Sequence, residues 1–320
     1  MLKTDPRERS HVTTLRAGMQ QWMALVALLT LTSCMSAPTP DTIELSALKP
    51  LPAQAASDIV PLRVSVAAVV SPQGTADSYR PLLDYLAEKL DRPVELVQRR
   101  TYGETNELVR TGAVDLAFVC TSAYITGHDE FGMTLLAAPE VEGSSVYSSL
   151  LIVPIDSPVQ SMRELRGAVF AFTDPISNTG RVYPTYLIQQ LGTTPAAFFS
   201  RTFFTYSHDD AIRAVASGLA DGAAVDSMVY EFALLRDPLL ANKVKVIHES
   251  PPFGIPPVVI SPDTRPQQRA MLQEILLGMH ADPDAQPALQ ALGIDGFVDI
   301  DDSAYDTARA ITHAVGPLTP

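Results

Sequence analysis

The chain has 320 residues, 46% of them hydrophobic and 18% charged, and a formal net charge of −13 at pH 7. This composition is typical of a globular protein, and the length is enough for one large domain or two medium ones. The excess of acidic residues argues against a nucleic acid partner, because nucleic acids are bound by clustered Lys and Arg side chains.

The chain begins with a segment typical of an export signal. An apolar run covers residues 22–31, and this run is too short for a stable membrane span. Four basic side chains precede it: Lys3, Arg7, Arg9 and Arg16. We therefore predict that residues 1–33 are a signal peptide.

A cysteine follows the apolar run directly, in the order Leu31-Thr32-Ser33-Cys34. This order resembles the lipobox of bacterial lipoproteins, and the resemblance implies that Cys34 is lipidated and becomes the first residue of the mature chain. The alternative is a plain signal peptide with an incidental cysteine. Because two or three acyl chains anchor a protein stably, we expect a domain tethered to a bacterial membrane, on the periplasmic side in a Gram-negative cell.

The remaining exported chain is acidic and has one further cysteine. Without residues 1–33 it keeps 19 Lys and Arg against 34 Asp and Glu, a net charge of −15. If Cys34 is lipidated, only Cys120 remains, so no intramolecular disulfide is expected. Residues 34–57 are rich in Ala, Pro, Ser and Thr and show no sustained periodicity, which indicates a flexible spacer.

Strand and helix patterns alternate from residue 62 onward. The first unit has strands at 62–70, 94–97 and 114–119 and helices at 78–90 and 105–110. Strands separated by helices favour a mainly parallel sheet with crossover connections. The segment Ser71-Pro72-Gln73-Gly74, after the first strand, is predicted as a loop.

A second unit follows a strand at 149–153. Its elements alternate in the same way: strands at 168–172, 202–205, 222–225 and 244–247, and helices at 179–191, 209–217 and 227–235. Three C-terminal helices are predicted near 265–281, 284–291 and 302–314. This order predicts two lobes with a ligand cleft at the carboxyl ends of the strands. We place lobe 1 at 58–148, completed by 249–320, and lobe 2 at 149–248.

Short motifs in a fixed order give this body a family resemblance. The motifs are Tyr79-Arg-Pro-Leu-Leu-Asp-Tyr-Leu86, Tyr102 before a helix, Gly112-Ala-Val-Asp-Leu-Ala-Phe118, Tyr147 ahead of Leu150-Leu-Ile-Val153, Asp174-Pro-Ile-Ser-Asn-Thr-Gly180 followed by Tyr183-Pro184, Ser207-His208-Asp209 with Ala214-Val-Ala-Ser-Gly218, Ala223-Ala-Val-Asp226, and Ser250-Pro-Pro252. In this order the chain resembles the phosphate, phosphite and phosphonate substrate-binding proteins of ABC importers. The resemblance implies a two-lobed, type II periplasmic-binding-protein fold of the α/β class, each lobe a mainly parallel sheet flanked by helices.

The resemblance also implies a function. A protein of this family captures a small oxyanion between its lobes and delivers it to an ABC permease in the inner membrane, so we expect a monomer that is not an enzyme and has no cofactor. One alternative is a ligand-sensing subunit of a signalling system. A less favoured alternative is an enzyme with Cys120, His208 and Asp226 as nucleophile, base and orienting group. The histidines show no ligand spacing, so no metal site is expected.

The predicted site is centred on Ser177-Asn178-Thr179-Gly180, directly before a predicted helix. A helix N-terminus has unpaired N–H groups and a partial positive charge. The amides of Asn178, Thr179 and Gly180 can therefore bind an oxyanion, and the hydroxyls of Ser177 and Thr179 add two donors. Glycine at position 180 allows the ligand a close approach. The alternative is that Ser177 only caps the helix.

Other segments contribute the remaining predicted ligand contacts. The family resemblance implies that His208, Tyr102 and Tyr147 lie in the cleft and hydrogen-bond the ligand. Thr121 and Ser122 follow a strand and open a second helix on the facing lobe. For each tyrosine, the alternative is packing at a strand end.

Departures from the family pattern bear on the ligand. Members that bind an aminoalkylphosphonate carry carboxylates where this chain has Met228 and Pro256. Without them an ammonium tail lacks a counter-charge, so we expect a mostly oxyanionic ligand such as phosphate, phosphite or a small alkylphosphonate. Asp226 either replaces the missing carboxylate or hydrogen-bonds His208 or a helix terminus. Cys120 stands where the family often has glycine, and we expect it to be a small buried filler.

Overall fold

In a computed structural model of the chain, which describes residues 60–318, the strands form two sheets and a separate two-stranded ribbon. The strands are β1 (Leu62–Val66), β2 (Val94–Gln98), β3 (Leu116–Phe118), β4 (Thr134–Glu140), β5 (Val146–Tyr147), β6 (Ser149–Pro154), β7 (Val169–Phe172), β8 (Arg201–Phe204), β9 (Gly222–Asp226), β10 (Val244–Glu249), β11 (Phe253–Gly254), β12 (Val258–Ile260) and β13 (Gly296–Val298). The predicted signal peptide at 1–33, the lipidation site Cys34 and the spacer at 34–57 lie outside the described residues.

Helices connect most of these strands. They are α1 (Pro72–Leu90), α2 (Tyr102–Arg110), α3 (Thr121–Phe131), α4 (Tyr183–Gln190), α5 (Pro195–Phe198), α6 (His208–Ala216), α7 (Ser227–Arg236), α8 (Pro266–Gly278), α9 (Gln286–Leu292) and α10 (Asp306–Val315). A π-type turn, Asn178–Val182, leads directly into α4. Within residues 60–318, no helix combines the length and the apolar composition that crossing a membrane requires.

The first sheet has the strand order β13-β4-β12-β3-β1-β2. Its parallel part is built on β1, where Val64 pairs with Leu96 of β2 on one side and Leu116 of β3 on the other. The late strands β12 and β13 join in the antiparallel sense. Side chains such as Leu82 of α1 and Leu272 of α8 share one buried cluster with β1, which fixes these helices on the sheet.

The second sheet has the order β10-β6-β9-β7-β8. β7 pairs in parallel with β8 and β9, and β6 is antiparallel to both of its neighbours. An aromatic cluster anchors this sheet: Phe170 stacks on Phe199 with ring centroids 4.5 Å apart, and Phe172 meets Phe199 edge to face. Because β7, β8 and β9 run parallel, their carboxyl ends lie at one edge of the sheet.

The ribbon lies where the chain passes between the two sheets. β5 precedes β6 and β11 follows β10, and the two short strands pair with Tyr147 opposite Phe253. The neighbouring segments are also joined, because the Ser149 N–H donates to Ser250 Oγ (2.8 Å) and the Ser250 N–H donates to the Ser149 carbonyl (3.0 Å). Two adjacent chain segments thus connect the sheets.

The predicted order of strands and helices is confirmed, with three corrections. Both sheets are mixed rather than mainly parallel, because β12, β13, β6 and β10 pair in the antiparallel sense. Strands β4, β5, β11, β12 and β13 were not predicted. The predicted loop at Ser71–Gly74 is wrong: the strand before it ends at Val66 and α1 begins at Pro72, a residue suited to the first helical turn.

A capping box starts α2 and fixes the position of Tyr102 at its first turn. The Thr101 hydroxyl accepts from the Glu104 N–H (3.2 Å), and the Glu104 carboxylate accepts from the Thr101 N–H (2.9 Å). Two N–H groups that the helix itself leaves unpaired are satisfied in this way. The cap therefore holds the helix that carries one of the predicted site residues.

Replacing Thr101 with alanine should lower the free energy of unfolding by about 1 kcal/mol, because it removes the side-chain half of this cap. The matched control is Thr194→Ala, since Thr194 is also an N-cap threonine but makes no side-chain cap bond. Urea unfolding of both variants measures the difference. Equal losses in the two variants would contradict the role given to the box.

Candidate functional site

The predicted site residues follow the carboxyl ends of strands in both sheets or lie on the ribbon. Thr121 and Ser122 follow β3, the Asn178 turn follows β7, His208 follows β8 and Asp226 ends β9. All predicted site residues are buried: Tyr102, Thr121, Ser122, Tyr147, Ser177, Asn178, Thr179, Gly180, His208 and Asp226. The strand ends of the two sheets thus meet in a closed, water-poor region.

Asn178 joins three of these segments. Its side-chain amide donates to the Tyr147 hydroxyl of the ribbon (3.1 Å), and its side-chain oxygen accepts from the Ser122 hydroxyl of α3 (3.2 Å). Its main-chain N–H lies 3.5 Å from Cys120 Sγ, a long contact to a weak acceptor. The Asn178 side chain therefore bridges the strand ends of the two sheets.

Ser177 and Gly180 have local structural roles in this turn. Ser177 Oγ accepts from the Gly180 N–H (3.1 Å), so the capping interaction considered for Ser177 is present and the Gly180 amide is satisfied by the protein. A Cβ atom at position 180 would overlap the Thr173 side chain. Glycine is thus required here for packing against Thr173, a reason that the sequence did not reveal.

His208 is held as a neutral ring. Its Nδ1 accepts from the Asp226 N–H (3.0 Å), which places the proton of the neutral ring on Nε2. Burial lowers the pKa of His208 to about 3, so the ring stays uncharged at neutral pH. Nε2 lies 3.4 Å from Ser177 Oγ. His208 therefore presents one N–H donor toward the Asn178 turn.

Asp226 caps helix α7 from within the same region. Its Oδ1 accepts from the N–H groups of Met228 (2.8 Å) and Val229 (3.2 Å). Burial raises the pKa of this carboxyl to about 7, and the two N–H donors oppose the rise. The sequence left open whether Asp226 contacts His208 or a helix terminus, and it does both, through its main-chain N–H and its side chain.

Two buried hydroxyls at the site, those of Tyr102 and Thr179, make no hydrogen bond within residues 60–318. The Tyr102 main-chain N–H donates to Asp174 Oδ2 (3.0 Å), and the Thr179 carbonyl accepts from the Ser149 hydroxyl (2.7 Å), so both residues are fixed through their backbones. Burial raises the pKa of Tyr102 far above its usual value, which keeps its hydroxyl protonated. Both hydroxyls are available as neutral donors.

The side chains of Thr121 and Asp174 fix neighbouring segments of the site by hydrogen bonds to main-chain groups. The Thr121 hydroxyl donates to the Gly254 carbonyl (2.8 Å), which ties α3 to the ribbon. Asp174 accepts from the N–H groups of Tyr102 and Ile176, and burial raises its pKa to about 6. Sequence reasoning did not assign Asp174 a role, although it opens the motif that ends at Gly180.

The geometry disfavours a cysteine nucleophile. Burial raises the pKa of the Cys120 thiol to about 11, so the thiolate that would attack a substrate is scarce at neutral pH. The ring nitrogens of His208 face the Asp226 N–H and Ser177 Oγ instead. Among residues 60–318, no group of three or more His, Cys, Asp or Glu side chains could hold a metal ion.

Neutral donors thus converge on one buried region from both sheets. They comprise hydroxyls, a side-chain amide and an imidazole N–H: Tyr102, Tyr147, Thr179, Asn178 and His208. Burial raises the pKa of Tyr147 as well, so its hydroxyl also remains protonated. Donors of this kind form strong hydrogen bonds to an anion in a region that excludes water.

Comparison with protein families gives a match over most of the chain. The matching family is described as "ABC transporter, phosphonate, periplasmic substrate-binding protein", and its model covers residues 64–305. This range includes every predicted ligand-contacting residue and both sheets except the first two residues of β1. Proteins of this family bind substrates for transport and are not enzymes.

Two curated relatives show moderate similarity. The phosphate-import protein PhnD of Mycolicibacterium smegmatis is 28% identical over 222 residues, which are 66% of this chain and 63% of that protein. The match therefore spans less than two thirds of that relative's length. The phosphonates-binding periplasmic protein of Escherichia coli is 24% identical over 247 residues, 76% of this chain and 73% of that protein.

Solved structures confirm the periplasmic-binding-protein fold. A binding protein component of an ABC phosphonate transporter from Pseudomonas aeruginosa superposes with a TM-score of 0.74 at 23% identity, covering 79% of this chain and 86% of that one. PhnD1 from Prochlorococcus marinus, solved in complex with methylphosphonate, gives a TM-score of 0.71 at 18% identity, covering 79% of this chain and 97% of that one. The two-lobed α/β fold predicted from the sequence is confirmed.

Replacing Asp226 with asparagine should change how stability depends on pH. With its pKa raised from 3.8 to about 7, the folded wild-type protein keeps a proton that the unfolded chain releases over this range, so it loses stability as the pH rises toward 7. Asparagine does not titrate. The stability of Asp226→Asn relative to the wild type should therefore increase from about pH 4 to about pH 8, by at most about 4 kcal/mol.

Urea unfolding at the two pH values measures this change. The matched control is Asp301→Asn, because Asp301 is an exposed N-cap whose pKa is lowered by its hydrogen bonds to Ser303. That variant should show no such increase. A pH-independent difference for Asp226→Asn would show that the buried carboxyl is not destabilised by ionisation.

Proposed function

The chain belongs to the family of periplasmic substrate-binding proteins of phosphonate ABC transporters, and from this premise we propose that it captures a phosphonate, phosphite or phosphate ion for such a transporter. The ion would bind where the strand ends of the two sheets meet, among the neutral donors described above. Two relatives support this ligand class by name, one as a phosphate-import protein and one as a phosphonates-binding protein.

The unsatisfied hydroxyls of Tyr102 and Thr179 carry the proposal. A buried polar group without a partner costs about 1–3 kcal/mol, so such groups rarely persist without a reason. A third hydroxyl without a partner in the described chain, Thr173, lies against Gly180 of the same turn. Oxyanion oxygens are acceptors, and an ion bound here would satisfy donors that the protein leaves unmet.

Together with the hydroxyls of Tyr102 and Thr179, the remaining donors would supply enough affinity for a scavenging receptor. The His208 Nε2–H lies near Ser177 Oγ, the Asn178 amide donates to the Tyr147 hydroxyl, and Asn178 Oδ1 accepts from Ser122, so these side chains would exchange contacts with neutral groups for contacts with an ion. Each hydrogen bond to a charged group contributes about 1.5–3 kcal/mol before the cost of association. Four or five of them correspond to roughly micromolar binding.

Ligand access requires the protein to open, because the site residues are buried. We place the hinge at the two crossings near residues 148–150 and 248–251, beside the Ser149 and Ser250 hydrogen bonds. Lobe 1 would comprise 58–148 with 249–320, and lobe 2 would comprise 149–248. Closure around a ligand by rotation at a few residues between lobes is a common motion in two-lobed binding proteins.

We further propose that the protein works outside the cytoplasm, held to the membrane by lipid at Cys34. The order Leu31-Thr32-Ser33-Cys34 after an apolar run supports lipidation, and the family places the binding body on the periplasmic side. The ABC permease that receives the ligand would be in the inner membrane of a Gram-negative cell. A tether keeps the receptor near the permease.

Replacing Tyr102 with phenylalanine should separate binding from stability. The variant should bind methylphosphonate, phosphite or phosphate at least about tenfold more weakly, because one donor is lost. Its ligand-free stability should be unchanged or increased, because the hydroxyl has no partner to lose. Titration calorimetry and urea unfolding of the detergent-purified protein give the two quantities.

The matched control is Tyr124→Phe. The Tyr124 hydroxyl donates to Asp302 Oδ1 (2.7 Å), so this variant should lose about 1 kcal/mol of stability and bind normally. If Tyr102→Phe destabilises the ligand-free protein and binds as the wild type does, the hydroxyl has a structural role. In that case the proposed ligand position is wrong.

Replacing Cys34 with serine should release the exported protein from the membrane, because serine cannot carry the thioether-linked lipid. Detergent phase partitioning of cell extracts measures this, with the wild type expected in the detergent phase and the variant in the aqueous phase. Cys120→Ser is the control and should partition as the wild type does, because Cys120 is buried. A wild-type protein found in the aqueous phase would contradict the lipid anchor.

A further inference from the structure

An apolar cavity of about 140 Å³ lies beside the polar site. It is partly open, and its wall is formed by residues of both sheets and of the C-terminal part of the chain. Its apolar lining residues include Val66, Phe118, Met228, Phe232, Leu292 and Phe297. Aliphatic and aromatic side chains thus form most of its wall, so the cavity suits a hydrocarbon group.

Polar groups in the cavity wall are few. Among the lining residues, which all lie in the described part of the chain, only Ser78, Tyr79 and Asp226 carry polar side chains. Burial raises the pKa of Tyr79, so its hydroxyl stays neutral. Asp226 Oδ1 already accepts two main-chain N–H bonds. A cationic group placed here would have one partly neutralised carboxyl as its counter-charge, surrounded by hydrocarbon.

The cavity wall shares residues with the contacts that hold His208. Asp226 lines it, and the Asp226 N–H is the group that holds His208 Nδ1 at 3.0 Å. Val69 lines it too, and the Val69 carbonyl accepts from the main-chain N–H of His208 (2.8 Å). Val119, another lining residue, directly precedes Cys120. Residues that hold His208 in place therefore also form part of the cavity wall.

We propose that this cavity receives an uncharged hydrocarbon group joined to the phosphorus atom of a bound phosphonate, up to about a phenyl ring in size. The inference rests on the proposed function and specifies its ligand class. A dry apolar cavity of about 150 Å³ is large enough for benzene, which sets the size of the group. Inorganic phosphate and methylphosphonate leave most of this volume unfilled.

The preferred ligand is therefore an alkyl- or arylphosphonate rather than an aminoalkylphosphonate. Filling the cavity removes apolar ligand surface from water and restores contacts that an empty cavity lacks. We expect phenylphosphonate and n-butylphosphonate to bind about tenfold or more tightly than methylphosphonate. 2-Aminoethylphosphonate should bind more weakly than either, because its ammonium group loses its hydration.

The test is a calorimetric titration of the detergent-purified full chain with these four phosphonates and with phosphate. Met228→Glu places a carboxylate in the cavity wall, so it should weaken phenylphosphonate binding about tenfold and strengthen 2-aminoethylphosphonate binding. The matched control is Leu235→Glu, on the same helix with the same change in charge. Leu235 is 80% exposed, so that variant should shift neither ligand.

The outcomes separate this inference from the proposed function. Tighter binding of phenylphosphonate than of methylphosphonate, reduced about tenfold in Met228→Glu and kept in Leu235→Glu, supports the inference. If phosphate or methylphosphonate binds and the larger ligands bind no tighter, or if 2-aminoethylphosphonate ranks first, the inference is wrong and the proposed function stands. If no phosphorus compound binds the unmodified protein, both are wrong. The ranking on the unmodified chain decides the question even if Met228→Glu does not fold.

Discussion

The central feature of the structure is a cluster of neutral hydrogen-bond donors buried at the junction of two sheets. Asn178 joins α3 to the ribbon, and Tyr102 and Thr179 bring hydroxyls that find no acceptor within residues 60–318. Such an arrangement is costly for a folded chain on its own, since each unmet buried group opposes folding. It becomes favourable when an acceptor with several oxygens binds, which is why we interpret the cluster as a receptor site.

Burial favours the uncharged forms of His208 and Asp226. Burial keeps His208 neutral with its proton on Nε2, and it shifts Asp226 toward its neutral form. At moderately low pH, Asp226 therefore does not present a full negative charge to an incoming ion. The acidic net charge of the chain does not conflict with this, because exposed charges are screened beyond about 8 Å at physiological salt, whereas the buried donors act at contact distance.

The sequence predicted the alternating elements, but not how the residues contact one another. The long strand and helix patterns were reliable, whereas the three-residue strands β12 and β13 are too short to show a period. Their antiparallel pairing with β3 and β4, which makes the first sheet mixed, is a long-range contact with no local signal. Pro72 was a helix-start signal that the loop interpretation overlooked.

The same limit applies to the site. Motif order indicated that the Asn178 turn, His208 and the two tyrosines belong together, and the structure brings them together. The contacts that define their roles depend on packing that no local pattern records. Examples are Gly180 against the Thr173 side chain, and the main-chain N–H of Asp226, which donates to His208 Nδ1. The apolar cavity beside Met228 is likewise a product of packing among segments up to Phe297.

The most direct measurement is a crystal structure of the protein with methylphosphonate. Phosphonate oxygens within hydrogen-bond distance of the Tyr102 and Thr179 hydroxyls and of His208 Nε2 would agree with this account; a phosphonate bound elsewhere, with those hydroxyls still unpaired, would contradict it.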